Sequence, residues 1–371
     1  MFMPEGVIPE TPQGGMMRIL IVTDAWPPQV NGVVRTIQTV GRELSRRGHD
    51  VRYITPEGHR TWAIPSYPEI RLSLVGSSSI GREIDAIKPQ AIHIATEGPL
   101  GWAARRACLR RSVPFTTSFH TRFAEYIEAR LPIPGIKRFI WKVLRRFHGP
   151  SRAVMTPTAT IAKELEMRGF TNVKVWTRGV DHKKFNNLPR DYFSLPRPIV
   201  LYAGRVVKEK NMESFLKLDT KGTKVVVGDG PERMLYEAKY PAAVFTGFLR
   251  EDTYVRALSS ADVFVFPSLT DTFGLVMIEA MACGTPVAAF NVASPVDVVE
   301  QGVTGELDKD LSEAVARALR LDRAKVRSGA AKFTWERVAD MFESWLVPID
   351  VSVAESAPVK GPERKQSQAV M

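Results

Sequence analysis

The chain has 371 residues, of which 44% are hydrophobic and 25% charged. That length accommodates two domains of ordinary size, and the balance is that of a soluble globular protein. It excludes a membrane span, since no run approaches ~18 apolar residues, and a secretory signal, since no basic start precedes an apolar core. The formal charge is +11, and nearly all of the excess lies in one place: Gly101 to Arg152 carries twelve Lys and Arg against two acids, Glu125 and Glu128. A local basic patch implies an anionic partner, whether a membrane surface, a nucleic acid or phosphates. The two cysteines, Cys108 and Cys283, stand in different halves. That suits a reducing cytoplasm and excludes a cysteine metal cluster.

Residues 1–16 are expected to be a flexible leader, because Pro4, Pro9, Pro12 and the Gly14–Gly15 pair break any element. From Met17 the pattern begins: a strand at 18–24, a helix at 33–48 ended by Gly48, a strand at 50–55, a helix at 80–88, a strand at 90–96, a helix at 101–111 and a strand at 114–120. Strands that are apolar throughout, separated by helices, indicate a parallel sheet covered on both faces. That is a doubly wound domain with its ligands at the carboxyl ends of the strands. Residues 186–198 carry three prolines and no periodicity. The alternation then restarts with strands at 199–204, 223–229, 243–247, 263–268 and 285–290 and helices near 211–217, 231–238, 251–259 and 273–282. Late helices follow at about 310–320 and 334–346. The expected organisation is a leader (1–16), a first α/β domain (17–190), a linker (191–198), a second α/β domain (199–333), a C-terminal helix (334–347) able to cross back to the first domain, and a polar, disordered tail (348–371). Two doubly wound, Rossmann-like domains in tandem leave a cleft between facing carboxyl edges, where chemistry is to be sought.

The stretch "PSLTDTFGLVMIEAMACGTPV" (267–287) leaves one of those strands and runs into a helix that Gly284 ends. A helix N-terminus offers free N–H groups to a phosphate. Asp271 and Glu279, with seven residues between them, would repel a phosphate, but carboxylates accept hydrogen bonds strongly from hydroxyls. Two sugars joined through a diphosphate fit this pattern, one acid to each sugar. A capping Asp271 and a solvated Glu279 explain it equally well. "GRVVKEKN" (204–211) puts Arg205 and Lys210 on one loop at a strand's carboxyl end, where Arg plus Lys can stabilise developing phosphate charge without a metal. As solvated loop cations they would do nothing of the kind. In "WPPQVNGVVRT" (26–36) Gly32 opens a helix and allows close approach to an anionic group. The stretch lacks the dinucleotide G-x-G-x-x-G, which disfavours NAD. His120, in "TSFHTRF", ends a strand, and His93 is a weaker candidate of the same kind.

Together, "NGV", "SFHT", "GR…EKN" and "TDTFGLVMIEAMACGTPV" resemble the large retaining glycosyltransferase family with the GT-B fold, called group 1 or family 4. The resemblance covers about residues 17–346 and is strongest in the second half, where the family carries acid-x7-Glu followed by E-A-x-A-x-G-x-P-V. "FHT" and the spacing to "RGVD" (178–181) are most similar to bacterial glycolipid glycosyltransferases, such as phosphatidylinositol mannosyltransferases and glycosyl- and sulfoquinovosyl-diacylglycerol synthases. The resemblance implies that Glu279 binds the nucleotide ribose and Asp271 the donor-sugar hydroxyls. At Asp271 the family usually has Glu, so this sequence departs from it at the sugar end of the site. It further implies that Arg205 and Lys210 hold the diphosphate and that Gly32 lies over the donor phosphates. His120 then stands beside the donor sugar, and Gly274, Leu275 and Val276 form the helix start whose amides meet the phosphates.

The implied reaction transfers a hexose from a UDP- or GDP-sugar with retention. Retaining glycosidases set two carboxylates about 5–5.5 Å apart; here both acids are assigned to binding, so the implied route is same-face attack with the leaving phosphate taking the acceptor proton. No cofactor and no metal are implied. "DKD" (308–310) imitates a metal motif but precedes a helix away from the motif loops, as a surface turn does. The basic segment contains "IKRFIWKVLRRFH" (136–148), with Ile136, Phe139, Ile140, Val143, Leu144 and Phe147 on one face and Lys137, Arg138, Lys142, Arg145 and Arg146 toward the other. That is the pattern of a helix lying on an anionic bilayer; a buried helix with a solvated cationic face shares it. No stacking aromatics or reading motif accompany the charge, so nucleic acid is not expected. The expected partners are a nucleotide sugar, a lipid acceptor and the anionic inner face of the cell membrane, with the protein cytoplasmic and peripheral. The alternative is a soluble GT-B enzyme, either a transferase to a soluble acceptor or a phosphorylase- or epimerase-like enzyme.

Overall fold

The computed structural model describes residues 15–64, 67–130 and 133–349. Most of the expected leader and the tail from residue 350 lie outside the described residues. The first half runs β1 (Arg18–Val22), α1 (Gly32–Arg46), β2 (Asp50–Ile54), β3 (Thr61–Ile64), β4 (Tyr67–Ser73), α2 (Ser77–Ile87), β5 (Ala91–Ile94), α3 (Pro99–Arg110), β6 (Thr116–Ser118), α4 (Phe123–Arg130), α5 (Ile136–His148), β7 (Val154–Thr156), α6 (Ala159–Met167) and β8 (Val173–Val175). The second runs β9 (Ile199–Ala203), α7 (Met212–Leu216), β10 (Thr223–Val227), α8 (Arg233–Lys239), β11 (Val244–Gly247), α9 (Glu251–Ser260), β12 (Val263–Phe266), α10 (Leu275–Ala282), β13 (Val287–Phe290), α11 (Pro295–Val298), β14 (Gly305–Asp308), α12 (Leu311–Ala318), α13 (Arg323–Ala330) and α14 (Trp335–Trp345).

Each half holds a six-stranded sheet whose strands all pair in parallel. The orders are β2-β1-β5-β6-β7-β8 and β11-β10-β9-β12-β13-β14. The second is the Rossmann order, and in both the order reverses beside the half's first strand, where ligands bind in open α/β sheets. The central strands are buried on both faces, as Ile19 to Val22 and Ile199 to Leu201 are, which is why they read as unbroken apolar runs. Helix starts follow capping chemistry. The Asn31 side chain accepts from the amides of Val33 and Val34 to open α1, and Thr334 accepts from Arg337 to open α14. The antiparallel hairpin β3–β4, the edge strand β14 and the helix α13 are elements the sequence pattern does not announce.

The two halves are tied together in several places. Val180 and Phe185 pack in the second core, although they fall inside the expected first unit, and Tyr192, Phe193 and Leu195 of the expected linker pack partly against that same core. The helix α14 lies on the first domain, with Trp335, Val338 and Phe342 among Ile19, Ile21, Ile37 and Trp176. The indole of Trp176 donates to the Val338 carbonyl at 3.0 Å.

His93 is part of this core. Its ring stands 4.8 Å from that of Phe342 and its nitrogens meet the Thr116 and Ser118 hydroxyls, each at 2.9 Å. Burial, with the Arg178 charge second, pushes its pKa down to about 3. The unfolded chain therefore takes up a proton at this position near pH 6.5 and the folded chain does not, so stability rises with pH between about 3 and 6.5. The slope is at most about 1.4 kcal/mol per pH unit. Urea unfolding at pH 7 and pH 5.5 should show the loss at the lower pH, and His93→Gln should reduce it. Equal pH slopes in the two proteins would contradict a buried neutral His93.

Candidate active site

The motif residues meet at the facing carboxyl edges. Glu279, on α10, is only 2% exposed. Its Oε1 accepts from the guanidinium of Arg35, on α1 of the other domain, and its Oε2 accepts from the Tyr254 hydroxyl at 2.8 Å. It is thus not a solvated acid. Burial first, and Glu279 second, push the Tyr254 phenol well above its usual pKa. Asp271 does not cap the helix either: it pairs with Lys210 at 2.5 Å, joining the loop after β12 to the loop after β9. The cap position is Gly274, two residues into the stretch expected to be helical. Its φ is 78°, and a Cβ there would lie 2.7 Å from the Phe266 ring, so only glycine fits. Amides at the first turn of any helix lack intrahelical acceptors, which leaves those of Leu275 and Val276 available to an anion. At the far end the amides of Gly284 and Thr285 donate to the carbonyls of Met281 and Ala280, a Schellman stop.

Gly32 is the first residue of α1, and a Cβ on it would lie 3.4 Å from a Leu275 methyl. The two helix starts therefore face each other across the seam. Arg205 is half-buried at the carboxyl end of β9, and its carbonyl accepts from the Tyr202 hydroxyl at 2.8 Å. His120 follows β6; its carbonyl accepts from Thr272 Oγ1 at 2.7 Å, so the histidine touches the loop that carries Asp271. Its Nδ1 lies 3.0 Å from Nη2 of Arg178. Burial, then the Arg178 charge, hold its pKa well below the usual 6.5.

The cations of α5 stand on the first domain, and here the structure corrects the expectation. Leu144 and Phe147, assigned to a membrane-facing stripe, are buried in the domain together with Trp141 and His148. Ile140 packs partly inward, while Phe139 is 60% exposed. A helix beside a sheet buries its apolar stripe on its own core first. Arg138, Lys142, Arg145 and Arg146 remain exposed; Lys137 pairs with Glu128 at 2.8 Å. A cavity of about 480 Å³ lies between α3 and α5, lined by Trp102, Arg105, Arg106, Val143 and Arg146. In "DKD", Asp308 pairs with Arg317 and Asp310 caps α12, both structural tasks.

Sequence reasoning missed Arg35, Tyr254, Thr272 and Arg178. Arg35 stands three residues after Gly32 in "NGVVR", one helical turn along, which is the signal that could have found it. Tyr254 and Thr272 had none, because their partners are distant in sequence.

Residues 30–184 match the model of Glycosyltransferase Family 4, and residues 197–321 match that of Glycosyl transferases group 1. A GDP-mannose-dependent alpha-mannosyltransferase of Mycolicibacterium smegmatis is 31% identical over 87% of this chain and 95% of its own length. The chain belongs to the group 1, family 4 glycosyltransferases. An alpha-monoglucosyldiacylglycerol synthase of Streptococcus pneumoniae is 25% identical over 82% of this glycosyltransferase and 78% of itself. The sucrose-phosphate synthase of Thermosynechococcus elongatus superposes with a TM-score of 0.68 at 21% identity, over 87% of this chain and 96% of that one. That likeness establishes the GT-B fold.

The Lys210–Asp271 pair yields a test. Asp271 neutralises Lys210 and would repel an incoming anion. Asp271→Asn should raise the affinity for pyrophosphate by about two- to fivefold, the worth of an ion pair whose side chains are 25% and 22% exposed. Titration calorimetry measures it, and weaker pyrophosphate binding by the variant would contradict the reading.

Proposed function

We propose that this glycosyltransferase moves a hexose from a UDP- or GDP-sugar to a membrane lipid, with retention at the anomeric carbon and without a metal. The observation that carries the reading is the meeting of Glu279, Asp271, Lys210 and the α10 start at the seam between the two domains. Glu279 serves as acceptor for ribose hydroxyls and Asp271 for hydroxyls of the hexose. Arg205, Lys210 and the amides of Leu275 and Val276 take the diphosphate, with Gly32 leaving room above it. The chain then acts by positioning and by stabilising charge on the leaving phosphate, and that phosphate takes the acceptor proton. The relatives' names support a nucleotide-sugar donor and a lipid acceptor: one depends on GDP-mannose, another is an alpha-monoglucosyldiacylglycerol synthase. A panel of UDP- and GDP-sugars, read by released nucleotide with and without EDTA, tests donor and metal independence together. Turnover abolished by EDTA and restored by a divalent cation would overturn the metal-independent route.

Glu279→Ala should weaken nucleotide binding by about 1.5–3 kcal/mol, the value of a charge-assisted hydrogen bond. Calorimetry on the folded variant checks it, and unchanged affinity would remove Glu279 from the ribose.

The protein would work as a cytoplasmic, peripheral enzyme on the inner face of the cell membrane, held by the exposed cations of α5 with Phe139 beside them. The burial of Leu144 and Phe147 favours a second reading, a transferase to a soluble acceptor, because it leaves little apolar anchor. The two readings separate on vesicles. Changing Arg138, Lys142, Arg145 and Arg146 together to Gln should reduce binding to anionic vesicles, each charge contributing up to about 1 kcal/mol. Equal sedimentation of variant and wild type at low salt would favour the soluble acceptor.

A further inference from the structure

His120 and Arg178 form a pair that the proposed roles leave unexplained. Arg178 is 4% exposed, and among the described residues no carboxylate lies within ion-pair distance of it. Its Nη1 donates to the carbonyls of Trp176 and Thr177 at 2.6 and 2.9 Å, and its guanidinium sits 4.5 Å over the Trp176 ring. These contacts fix Nη2, which lies 3.0 Å from Nδ1 of His120.

We propose that Arg178 is a positioning residue that locks His120 as the neutral tautomer protonated on Nε2, so that His120 gives a hydrogen bond to a substrate oxygen and cannot accept a proton. A guanidinium has five N–H donors and no acceptor. The contact therefore requires a lone pair on Nδ1. A neutral imidazole carries one N–H, and with Nδ1 accepting, that proton is on Nε2. The charged form would turn Nδ1–H against the guanidinium, placing two cations together away from water. The other titratable rings facing His120 are His93 and His148, and they disfavour its charge further; Glu97 engages His148 at 3.2 Å. Nε2 itself is enclosed and has no hydrogen-bond partner. An enclosed donor without an acceptor is costly, and this one stands at the seam, where the His120 carbonyl receives Thr272. An oxygen lone pair of the substrate, a hexose hydroxyl or a phosphate oxygen, satisfies it when the seam parts to admit the ligand. The proton released by the acceptor hydroxyl must then go elsewhere, as it does when the leaving phosphate takes it. This inference rests on the sugar-phosphate reading of the cleft for the ligand's chemistry, but not for the tautomer.

The test begins with the free wild-type protein and needs no substrate. Long-range proton–nitrogen correlation spectra of 15N-histidine-labelled protein resolve the ring nitrogens of six histidines, and His120→Gln assigns the relevant set. The expected result is a neutral ring with its proton on Nε2, unchanged from pH 8 to pH 5.5. A proton on Nδ1, or an imidazolium in that range, would overturn the proposal even if the donor panel succeeds. A failed panel with the expected spectrum would instead remove the sugar-phosphate reading. With a donor in hand, Arg178→Lys, which keeps a donor, should retain most activity. Arg178→Met should lose about tenfold in kcat/KM, the worth of one hydrogen bond. Without the neighbouring charge the His120 pKa rises toward its usual value, so the acid limb of the Met variant's pH profile should move to higher pH. A uniform loss with an unmoved limb would mean that Arg178 is only structural. If the Met variant does not fold, the wild-type spectrum decides alone.

Discussion

A carboxyl group with 2% exposure is tolerated only where donors replace the water it has lost. Glu279 meets that condition through Tyr254 of its own domain and Arg35 of the other. The satisfaction of a group inside the second domain thus depends on how close the first one stands. The same seam carries Thr272 on the His120 carbonyl and Leu275 against Gly32. Each contact pairs a residue near the carboxyl edge of one sheet with a residue near that of the other, so the acids, cations and helix starts converge because the two sheets present their carboxyl ends to each other.

Apolar packing also ties the two domains together. Trp335, Val338 and Phe342 of α14 lie in the first domain's core, with Leu275 packed partly against them, and Val180 and Phe185 lie in the second. Dispersion and burial there are non-directional and bring the domains together. The hydrogen bonds at the seam are directional and set which residues face one another. The charged groups of the seam satisfy one another: Lys210 holds Asp271 and Arg35 holds Glu279.

The basic segment follows a different logic. Arg138, Lys142, Arg145 and Arg146 are exposed because long charged side chains keep their heads in water, while Trp141, Leu144 and Phe147 between them are claimed by the domain core. Amphipathicity alone does not say which solvent a helix faces; a hydrophobic core and a bilayer ask for the same stripe.

Much of the architecture was legible in the sequence. Parallel strands buried on both faces must be apolar throughout, and Gly274 and Gly284 are demanded by left-handed backbone, so the strands, α10 and its stop could be read locally. The identity of Asp271, Glu279, Arg205, Lys210, Gly32 and His120, and their place in the loops and helices that follow strands, could be read for the same reason: a motif is a local spacing. The hairpin β3–β4, the edge strand β14 and the burial of the α5 stripe could not, since pairing and burial are properties of neighbours far along the chain. Nor could the partners of the site residues. Arg35 and Glu279 are separated by 244 positions, and His120 and Arg178 by 58. The sequence by itself determined two parallel α/β domains and the chemical types lining their edges, because side-chain chemistry and period are written residue by residue. Only the tertiary structure decided which acid meets which cation and which histidine nitrogen meets Arg178, because those depend on distances that arise when the two sheets close on each other.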